Sequence, residues 1–290
     1  MLVIVVAACV LGFGYYRSQG GSSAAPPEVP GTGPGTGRYV ALGDSYTSAP
    51  KTGQPTGTPI GCDRSDNNYP SLVSATIKPA GFVDVSCSGA VTGSMTGEQQ
   101  TRSGTNPPQF NALTADTTLV TIGIGGNDVG FIGLAGECAT ARPSSSPCRD
   151  KYTAGGRDQL AERVATTSTR VGDILDKIHA KSPKARIVVV GYPTVLPDGN
   201  GCWPSLPVGA GDVIYLREAL GKLNDALSAQ AKAHKAGFAD TAAPSKGHDV
   251  CTASDTRWVE GIIPTSKAIA LHPNAKGEQA MADAVEKLVS

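Results

Sequence analysis

Short apolar runs alternate along this chain with longer stretches in which apolar residues recur every three or four positions. The short runs lie at residues 39–42, 82–86, 118–124, 186–190 and 238–240. A run that is apolar at consecutive positions is typical of a strand buried on both faces, as in a parallel sheet. Strands that alternate with helices place those helices on both faces of the sheet. The chain is therefore predicted to be an α/β protein, a three-layer α/β/α sandwich around a mostly parallel, five-stranded sheet.

Three longer stretches predict the main helices. Two of them carry apolar stripes with steps of three and four, formed by Leu160, Val164, Thr167, Val171, Ile174 and Ile178, and by Val213, Leu216, Leu220, Leu223 and Leu227. A third stripe follows Asn274, a residue type that caps helix N-termini, and consists of Met281, Val285 and Leu288. Each stripe is expected to be the buried face of a helix that packs on the sheet.

The N-terminal segment, residues 1–37, differs in composition from the rest of the chain. Residues 1–16 are uncharged and mostly apolar, and Arg17 ends the run. This run is shorter than the roughly 18–20 residues of a membrane span. A signal peptide and a retained membrane anchor therefore both remain open for residues 1–17. Residues 18–37 are rich in glycine, proline and serine and predict a linker. Residues 38–290 are expected to form one folded domain.

Composition and spacing disfavour several classes of function. The 25 basic and 25 acidic residues balance, which disfavours a basic surface for nucleic acid. Gly123, Gly125 and Gly126 resemble part of a dinucleotide loop, but Asn127 and Asp128 follow without the third glycine that such a loop requires. The histidine, cysteine and acidic residues lack metal-ligand spacing. We expect no cofactor, no metal and no nucleic-acid partner, and we expect a monomer.

Six of the seven cysteines lie beyond the N-terminal run, namely Cys62, Cys87, Cys138, Cys148, Cys202 and Cys251. An even number of cysteines in an exported chain favours disulfides. No pair has the Cys-x-x-Cys spacing that is typical of a zinc ribbon or a redox motif. Six cysteines permit many different pairings.

Small and polar residues follow three of the predicted strands. Gly43-Asp44-Ser45 follows the first, Cys87-Ser88-Gly89 the second and Gly125-Gly126-Asn127 the third. The carboxyl ends of parallel strands meet at one edge of the sheet, and ligands bind there. His272 lies just before the last predicted helix. The fold is therefore expected to bring a serine, an asparagine and a histidine to the same edge.

These residue types suit acyl transfer. A serine hydroxyl is a weak nucleophile that needs a neighbouring base, and His272 can take the proton of Ser45 and later give it to the leaving alcohol. The tetrahedral intermediate carries negative charge on oxygen, which N–H groups stabilise. The backbone N–H groups of Ser45 and Gly89 and the side-chain amide of Asn127 are the predicted oxyanion-hole donors. Activity is expected to fall as His272 becomes protonated, between about pH 8 and pH 5.

The order of these motifs resembles that of the SGNH, or GDSL, hydrolases. In that family a Gly-Asp-Ser motif stands near the mature start, a glycine follows strand two, Gly-x-Asn-Asp follows strand three and a histidine comes late. This chain matches the order from Gly43 to His272, which covers nearly all of the mature chain. The resemblance implies a flavodoxin-like fold, with Ser45 as the nucleophile, His272 as the base, and Gly89 and Asn127 as oxyanion donors.

The chain departs from the family three residues before the histidine. Members of the family usually carry an aspartate there that orients the imidazole, whereas this chain carries Ile269. Some secreted members use a backbone carbonyl instead. We therefore expect the Ile269 carbonyl to accept a hydrogen bond from Nδ1 of His272, with Asp255 and Glu260 as alternative acids.

The cysteine layout resembles that of the secreted bacterial esterases and lipases of the family, which pair their cysteines in sequential order. We expect neighbour pairing here as well: Cys62–Cys87, Cys138–Cys148 and Cys202–Cys251. The second and third bridges would tie two long loops, residues 131–156 and 191–211. Long loops at the carboxyl edge of a sheet commonly determine which substrate is accepted.

Together these features predict an exported or envelope-anchored serine esterase or lipase. It would act on small-molecule or lipid carboxylic esters through an acyl-serine intermediate. Two alternatives remain: a carbohydrate O-acetylesterase that acts on cell-envelope polysaccharide, and a non-catalytic envelope-binding protein. The first predicts a preference for acetyl esters, and the second predicts an inert Ser45. The N-terminal segment would account for association with a membrane or the cell envelope.

Overall fold

The computed structural model describes residues 29–30 and 37–289 of the 290-residue chain. The signal peptide or anchor predicted at residues 1–17 lies outside the described residues, and so does most of the linker predicted at residues 18–37. Two residues of that linker, Val29 and Pro30, form a short strand. The domain predicted for residues 38–290 is described up to residue 289.

Five parallel strands form the centre of the fold, as predicted. The strands of the described residues are β1 (Val29–Pro30), β2 (Arg38–Gly43), β3 (Gly81–Asp84), β4 (Gln99–Thr101), β5 (Gly104–Asn106), β6 (Thr117–Gly123), β7 (Arg186–Val190) and β8 (Gly237–Ala239). The main sheet has the order β1-β3-β2-β6-β7-β8, and within it β1 alone is antiparallel to its neighbour. Strands β4 and β5 form a separate hairpin.

Helices cover both faces of the sheet and give the predicted three layers. They are α1 (Ser45–Ser48), α2 (Tyr69–Ile77), α3 (Gly126–Val129), α4 (Phe131–Glu137), α5 (Pro147–Tyr152), α6 (Gln159–Lys181), α7 (Ala210–Ala233) and α8 (Ala275–Val289). Short 3₁₀ turns lie at Ile60–Cys62, Thr92–Met95, Gln109–Ala112 and Ala154–Gly156. Helix α6 packs against α7 in one layer, and α2 packs against α8 in the other.

The three predicted stripes correspond to α6, α7 and α8. The Asp158 side chain caps α6 by accepting a hydrogen bond from the backbone of Ala161. Asn274 caps α8 as predicted, since its Oδ1 accepts from the backbone N–H groups of Lys276 and Gly277. In α8 the stripe differs at its end, where Leu288 is exposed and Val289 is buried instead.

The strand order creates a crevice at the carboxyl end of β2. The chain passes from β2 to β3 on one side and later returns to β6 on the other side. Gly43 and Gly123, the last residues of β2 and β6, are paired in register. A reversal of strand order of this kind leaves a crevice in which ligands bind. The fold therefore places the residues after β2 and β6 at the expected site.

The three disulfides join the predicted neighbours, Cys62–Cys87, Cys138–Cys148 and Cys202–Cys251. The third bridge ties the predicted loop at residues 191–211. The second ties residues 131–156, which were expected to be a loop but fold in large part into α4 and α5. Among residues 29–30 and 37–289, no helix combines the length and the apolar character that crossing a membrane requires.

Removing the disulfide that closes the longer loop should destabilise the protein more than removing the disulfide that closes the shorter loop. Cys202–Cys251 spans 49 residues and Cys138–Cys148 spans 10. Because a longer closed loop restricts the unfolded chain more, the paired alanine variants should lose about 4 and about 3 kcal/mol of unfolding free energy, respectively. Urea unfolding of both variants and the wild type measures this difference. A larger loss for the shorter loop would contradict the explanation from chain entropy.

Candidate active site

Ser45 begins helix α1 directly after strand β2. The preceding turn needs glycine at position 43, because a Cβ there would lie 2.2 Å from Thr47 Oγ1 and 2.7 Å from the Gly123 carbonyl oxygen. Asp44 caps α1 by accepting a hydrogen bond from the backbone N–H of Tyr46 at 2.9 Å. Strand, turn and cap together place the Ser45 hydroxyl in the crevice at the end of β2.

His272 reaches Ser45 from the loop that precedes α8. Nε2 of His272 lies 2.7 Å from Oγ of Ser45, and both side chains are buried. The loop is fixed by two backbone hydrogen bonds, from Glu260 N–H to the His272 carbonyl at 2.9 Å and from Leu271 N–H to the Glu260 carbonyl at 3.0 Å. The structure thus brings together the two residues that the sequence motifs predict as nucleophile and base.

The prediction that the Ile269 carbonyl orients His272 is wrong by one residue. Nδ1 of His272 lies 2.8 Å from the carbonyl oxygen of Ala270. The Ile269 carbonyl instead accepts from the backbone N–H of His272 at 3.3 Å. The cause is Leu271, whose φ of 62° is left-handed and turns the Ala270 carbonyl towards the ring. Such a conformation is rare for leucine, and no sequence pattern around Leu271 predicts it.

The two alternative acids have other partners. The Glu260 carboxylate accepts from Asn274 Nδ2 and from the backbone N–H of Thr265, each at 2.8 Å. Burial acts to raise the pKa of Glu260, but these hydrogen bonds outweigh it and the pKa is lowered. Asp255 is exposed. In the part of the chain that the structure describes, the ring nitrogens of His272 contact Ser45 and the Ala270 carbonyl and neither acid.

Burial determines the charge of the His272 ring. It lowers the pKa of His272 to about 4, although the hydrogen bond to Ala270 acts in the opposite direction. A carbonyl oxygen can only accept, so Nδ1 carries the hydrogen and Nε2 is free to accept from the Ser45 hydroxyl. The neutral ring is therefore in the tautomer that a general base requires.

Tyr192 joins the residues after β2 to those after β6. Its hydroxyl donates to Asp44 Oδ2 at 2.5 Å and accepts from the backbone N–H of Gly126 at 2.8 Å. Burial raises the pKa of Asp44 to about 7, and the hydrogen bonds from Tyr192 and Tyr46 limit the rise. Asn224 fixes the backbone of Tyr192 through two hydrogen bonds of 2.8 Å. The sequence offered no motif that marks Tyr192 for this position.

Gly89 lies in the loop after β3, and Asn127 lies in α3, after β6; these two strands flank β2, which leads to Ser45. Asn127 shares a pocket with Ser45, and its Nδ2 donates to the carbonyl of Ala90 at 2.9 Å. That bond uses one of two amide hydrogens and leaves the other available. Gly89 lies next to Ala90 with a φ of +79°, a conformation that favours glycine, and it lines a separate polar depression. The Asn127–Ala90 bond therefore joins α3 to the loop of Gly89, the two segments that carry predicted oxyanion donors.

An apolar pocket opens beside Ser45. It encloses about 740 Å³, part of it open to solvent. Apart from Ser45 and its neighbours, its walls come from the two predicted loops and from α7, and include Phe131, Ile132, Val195, Leu196, Leu206, Val208, Leu216 and Leu220. These two segments were expected at the site. The contribution of α7 to the pocket wall was not predicted, because Leu216 and Leu220 match the apolar stripe of an ordinary core helix. The pocket has the apolar lining of a small-molecule site.

Comparison with known proteins agrees with this geometry. The sequence model of the GDSL-like lipase/acylhydrolase family matches residues 41–280. Lipase 2 of Streptomyces coelicolor is 37% identical over 252 residues, which cover 84% of this chain and 83% of that protein. An esterase of Streptomyces scabiei is 27% identical over 299 residues, with 87% of this chain and 86% of that protein covered.

Two solved structures share the fold over most of the chain. Phospholipase A1 from Streptomyces albidoflavus NA297 has a TM-score of 0.68 and 29% identity, and covers 88% of this chain and 100% of its own. The extracellular lipase from Streptomyces rimosus has a TM-score of 0.68 and 26% identity, with the same coverage. The chain therefore belongs to the GDSL-like lipase/acylhydrolase family and is a carboxylic ester hydrolase.

Proposed function

We propose that the protein is an exported serine esterase or lipase that cleaves esters of medium or longer acyl chains through an acyl-serine intermediate on Ser45. The observation that carries the proposal is the 2.7 Å contact between Ser45 Oγ and His272 Nε2 beside an apolar pocket. A nucleophile and a base at this distance are poised for proton transfer.

In the proposed reaction, Nε2 of His272 takes the proton of Ser45 as Oγ attacks the ester carbonyl carbon. The resulting oxyanion accepts hydrogen bonds from the free amide hydrogen of Asn127 and from the backbone N–H groups of Ser45 and Gly89. His272 then gives the proton to the alcohol oxygen as the ester C–O bond breaks, which leaves the acyl group on Ser45. In the second half-reaction His272 takes a proton from water as the water oxygen attacks the acyl carbon, and returns it to Ser45 Oγ as the carboxylic acid leaves. The Ala270 carbonyl stabilises the protonated ring in each half-reaction, so that a dyad replaces the usual triad.

The pocket favours an acyl chain over an acetyl group. Each buried methylene contributes about 0.8 kcal/mol to binding, and an acetyl group has no methylene to bury against the apolar side chains that line the pocket. The walls next to Ser45 are largely leucine, valine and isoleucine side chains. These features support a lipid or simple alkyl ester over an acetylated polysaccharide.

Export is part of the proposal. Three disulfides are retained in oxidising compartments outside the cytoplasm. The Streptomyces rimosus relative is described as an extracellular lipase. Cleavage or retention of residues 1–17, association with a membrane or the envelope, and a monomeric state remain predictions from the sequence.

A series of p-nitrophenyl esters tests the substrate class. Hydrolysis of the octanoate should exceed that of the acetate by about 10–100-fold in kcat/KM, which corresponds to burial of about two or three of the added methylenes. Ser45→Ala should lower kcat by about 10⁴-fold or more. Ser182→Ala is the matched control, since this serine is buried at the end of α6 and donates to the Thr114 carbonyl. It should retain activity.

Two results of that series would contradict the proposal. A preference for acetate, together with activity on acetylated glycans, would identify a carbohydrate O-acetylesterase. Absence of hydrolysis with every ester would leave the envelope-binding function instead.

The pH profile should be more acid-tolerant than the sequence suggested. The folded protein lowers the pKa of His272 to about 4. The ring therefore stays neutral, and able to accept a proton, well below its ordinary pKa of about 6.5. We expect kcat/KM to be level from pH 8 to about pH 5 and to fall towards pH 4. Initial rates, with stability checked at each pH, measure this, and a midpoint near 6.5 would contradict the buried environment of the ring.

Substituting the alternative acids tests whether a backbone carbonyl or a side-chain carboxylate supports His272. Asp255→Asn and Glu260→Gln should each keep kcat within about threefold of the wild type, because neither carboxylate contacts the ring. Glu260→Gln should lower the unfolding free energy by about 1–3 kcal/mol, since it weakens a charge-assisted hydrogen bond to the buried Asn274 side chain. His272→Ala provides the reference for lost catalysis. If either acid variant matched its loss, the backbone carbonyl would not be the group that supports His272.

A further inference from the structure

Tyr46 links the nucleophile to the loop that carries the base. It follows Ser45 in the sequence, and its hydroxyl donates to the Leu271 carbonyl at 2.6 Å. Its ring also packs against the His272 ring, with centroids 4.8 Å apart and planes tilted by 33°. The residue next to the nucleophile therefore touches both the base and the residue that precedes it.

The two peptide units around Leu271 determine where the Ala270 carbonyl points. The first unit is held at its N–H, which donates from Leu271 to the Glu260 carbonyl at 3.0 Å. The second is held at its carbonyl, which accepts from Tyr46. Between them lies the left-handed backbone of Leu271, with φ at 62°. A non-glycine residue keeps such a conformation only when its surroundings fix it, and Tyr46 supplies one of the two restraints.

This restraint matters because the chain has no acid three residues before the base. Ile269 occupies that position, and Nδ1 of His272 relies on the neutral carbonyl of Ala270 at 2.8 Å. A carboxylate attracts the imidazolium over a range of geometries, whereas a carbonyl must be aimed at the ring to act as an acceptor. The accuracy of the Leu271 turn thus determines the tautomer and the orientation of the base.

Tyr46 is itself held in place. The ring of Tyr192 packs edge-on against it, with centroids 5.1 Å apart and an angle of 75°. Burial raises the pKa of Tyr46, so the hydroxyl keeps its proton and remains a donor. The nucleophile turn, Tyr192 and Tyr46 therefore form a continuous support beneath the loop of His272.

We infer that Tyr46 is a positioning residue whose hydroxyl, by fixing the Leu271 turn, compensates for the missing side-chain acid. The inference rests on the proposed Ser45–His272 dyad. Tyr46→Phe keeps the ring contact with His272 and removes only the hydroxyl. It should therefore disturb the orientation of the base without removing a group that contacts the reacting atoms.

The expected effect of Tyr46→Phe is on kcat rather than on KM. A misoriented base should lower kcat for a short ester by about 10–100-fold, with KM changed by less than about threefold. In the wild type, Nδ1–H of His272 should give a downfield, exchange-protected proton resonance, which His272→Ala assigns. This resonance should be lost to solvent exchange in Tyr46→Phe.

Tyr215→Phe is the matched control. Its hydroxyl is also bonded in a largely buried side chain, donating to Asp158 Oδ1 at 2.8 Å, but it does not contact the loop of His272. This variant should keep both kcat and the Nδ1 resonance. A loss of kcat that the control shares would indicate general destabilisation and overturn the inference.

Two further outcomes would overturn the role of Tyr46: an unchanged kcat with the resonance retained in Tyr46→Phe, or a wild type in which the Nδ1 proton is unprotected. The resonance does not depend on turnover. If the wild type hydrolysed no ester, the proposed function would fail, while the resonance would still decide whether Tyr46 holds the ring.

Discussion

The hydrogen bond between Ser45 and His272 is the contact on which the rest of the site depends. It joins side chains 227 residues apart at 2.7 Å. Serine reaches this point because β2 ends in a glycine turn at the position where the strand order reverses, and histidine reaches it because the loop before α8 folds back over the same edge. The parallel sheet holds the segment that carries Ser45 and the segment that carries His272 in a fixed relation. A sequence motif confined to one segment could not position both residues.

Burial disfavours charge on the side chains around Ser45. Burial already raises the pKa of Asp44 to about 7 and lowers that of His272 to about 4. A further carboxylate at position 269 would have to remain charged in the same environment, which is unfavourable unless several donors surround it. The Ala270 carbonyl gives the ring an acceptor without a second buried charge. A carbonyl acceptor requires that the backbone around Leu271 be held accurately. The Tyr46 hydroxyl contacts that turn, and the Tyr192 hydroxyl contacts Asp44 in the turn that carries Ser45.

Sequence reasoning identified the parts of this structure that follow from patterns along the chain. Continuous apolar runs identified the five parallel strands, stripes identified α6, α7 and α8, and the motifs pointed to Ser45 and His272. What it missed depends on contacts between distant residues or on unusual backbone. The left-handed Leu271 moved the acceptor from Ile269 to Ala270. Tyr192 connects two motifs without belonging to either, and the hairpin of β4 and β5 is polar and too short to show alternation.

A fluorophosphonate probe tests most directly whether Ser45 is activated by His272. After incubation at neutral pH, intact-protein mass spectrometry counts the adducts and peptide mapping locates them. The account predicts one adduct, on Ser45, formed at least about 10²-fold more slowly in His272→Ala because the base is absent. Modification of another residue, or labelling of Ser45 at the same rate in His272→Ala, would contradict it.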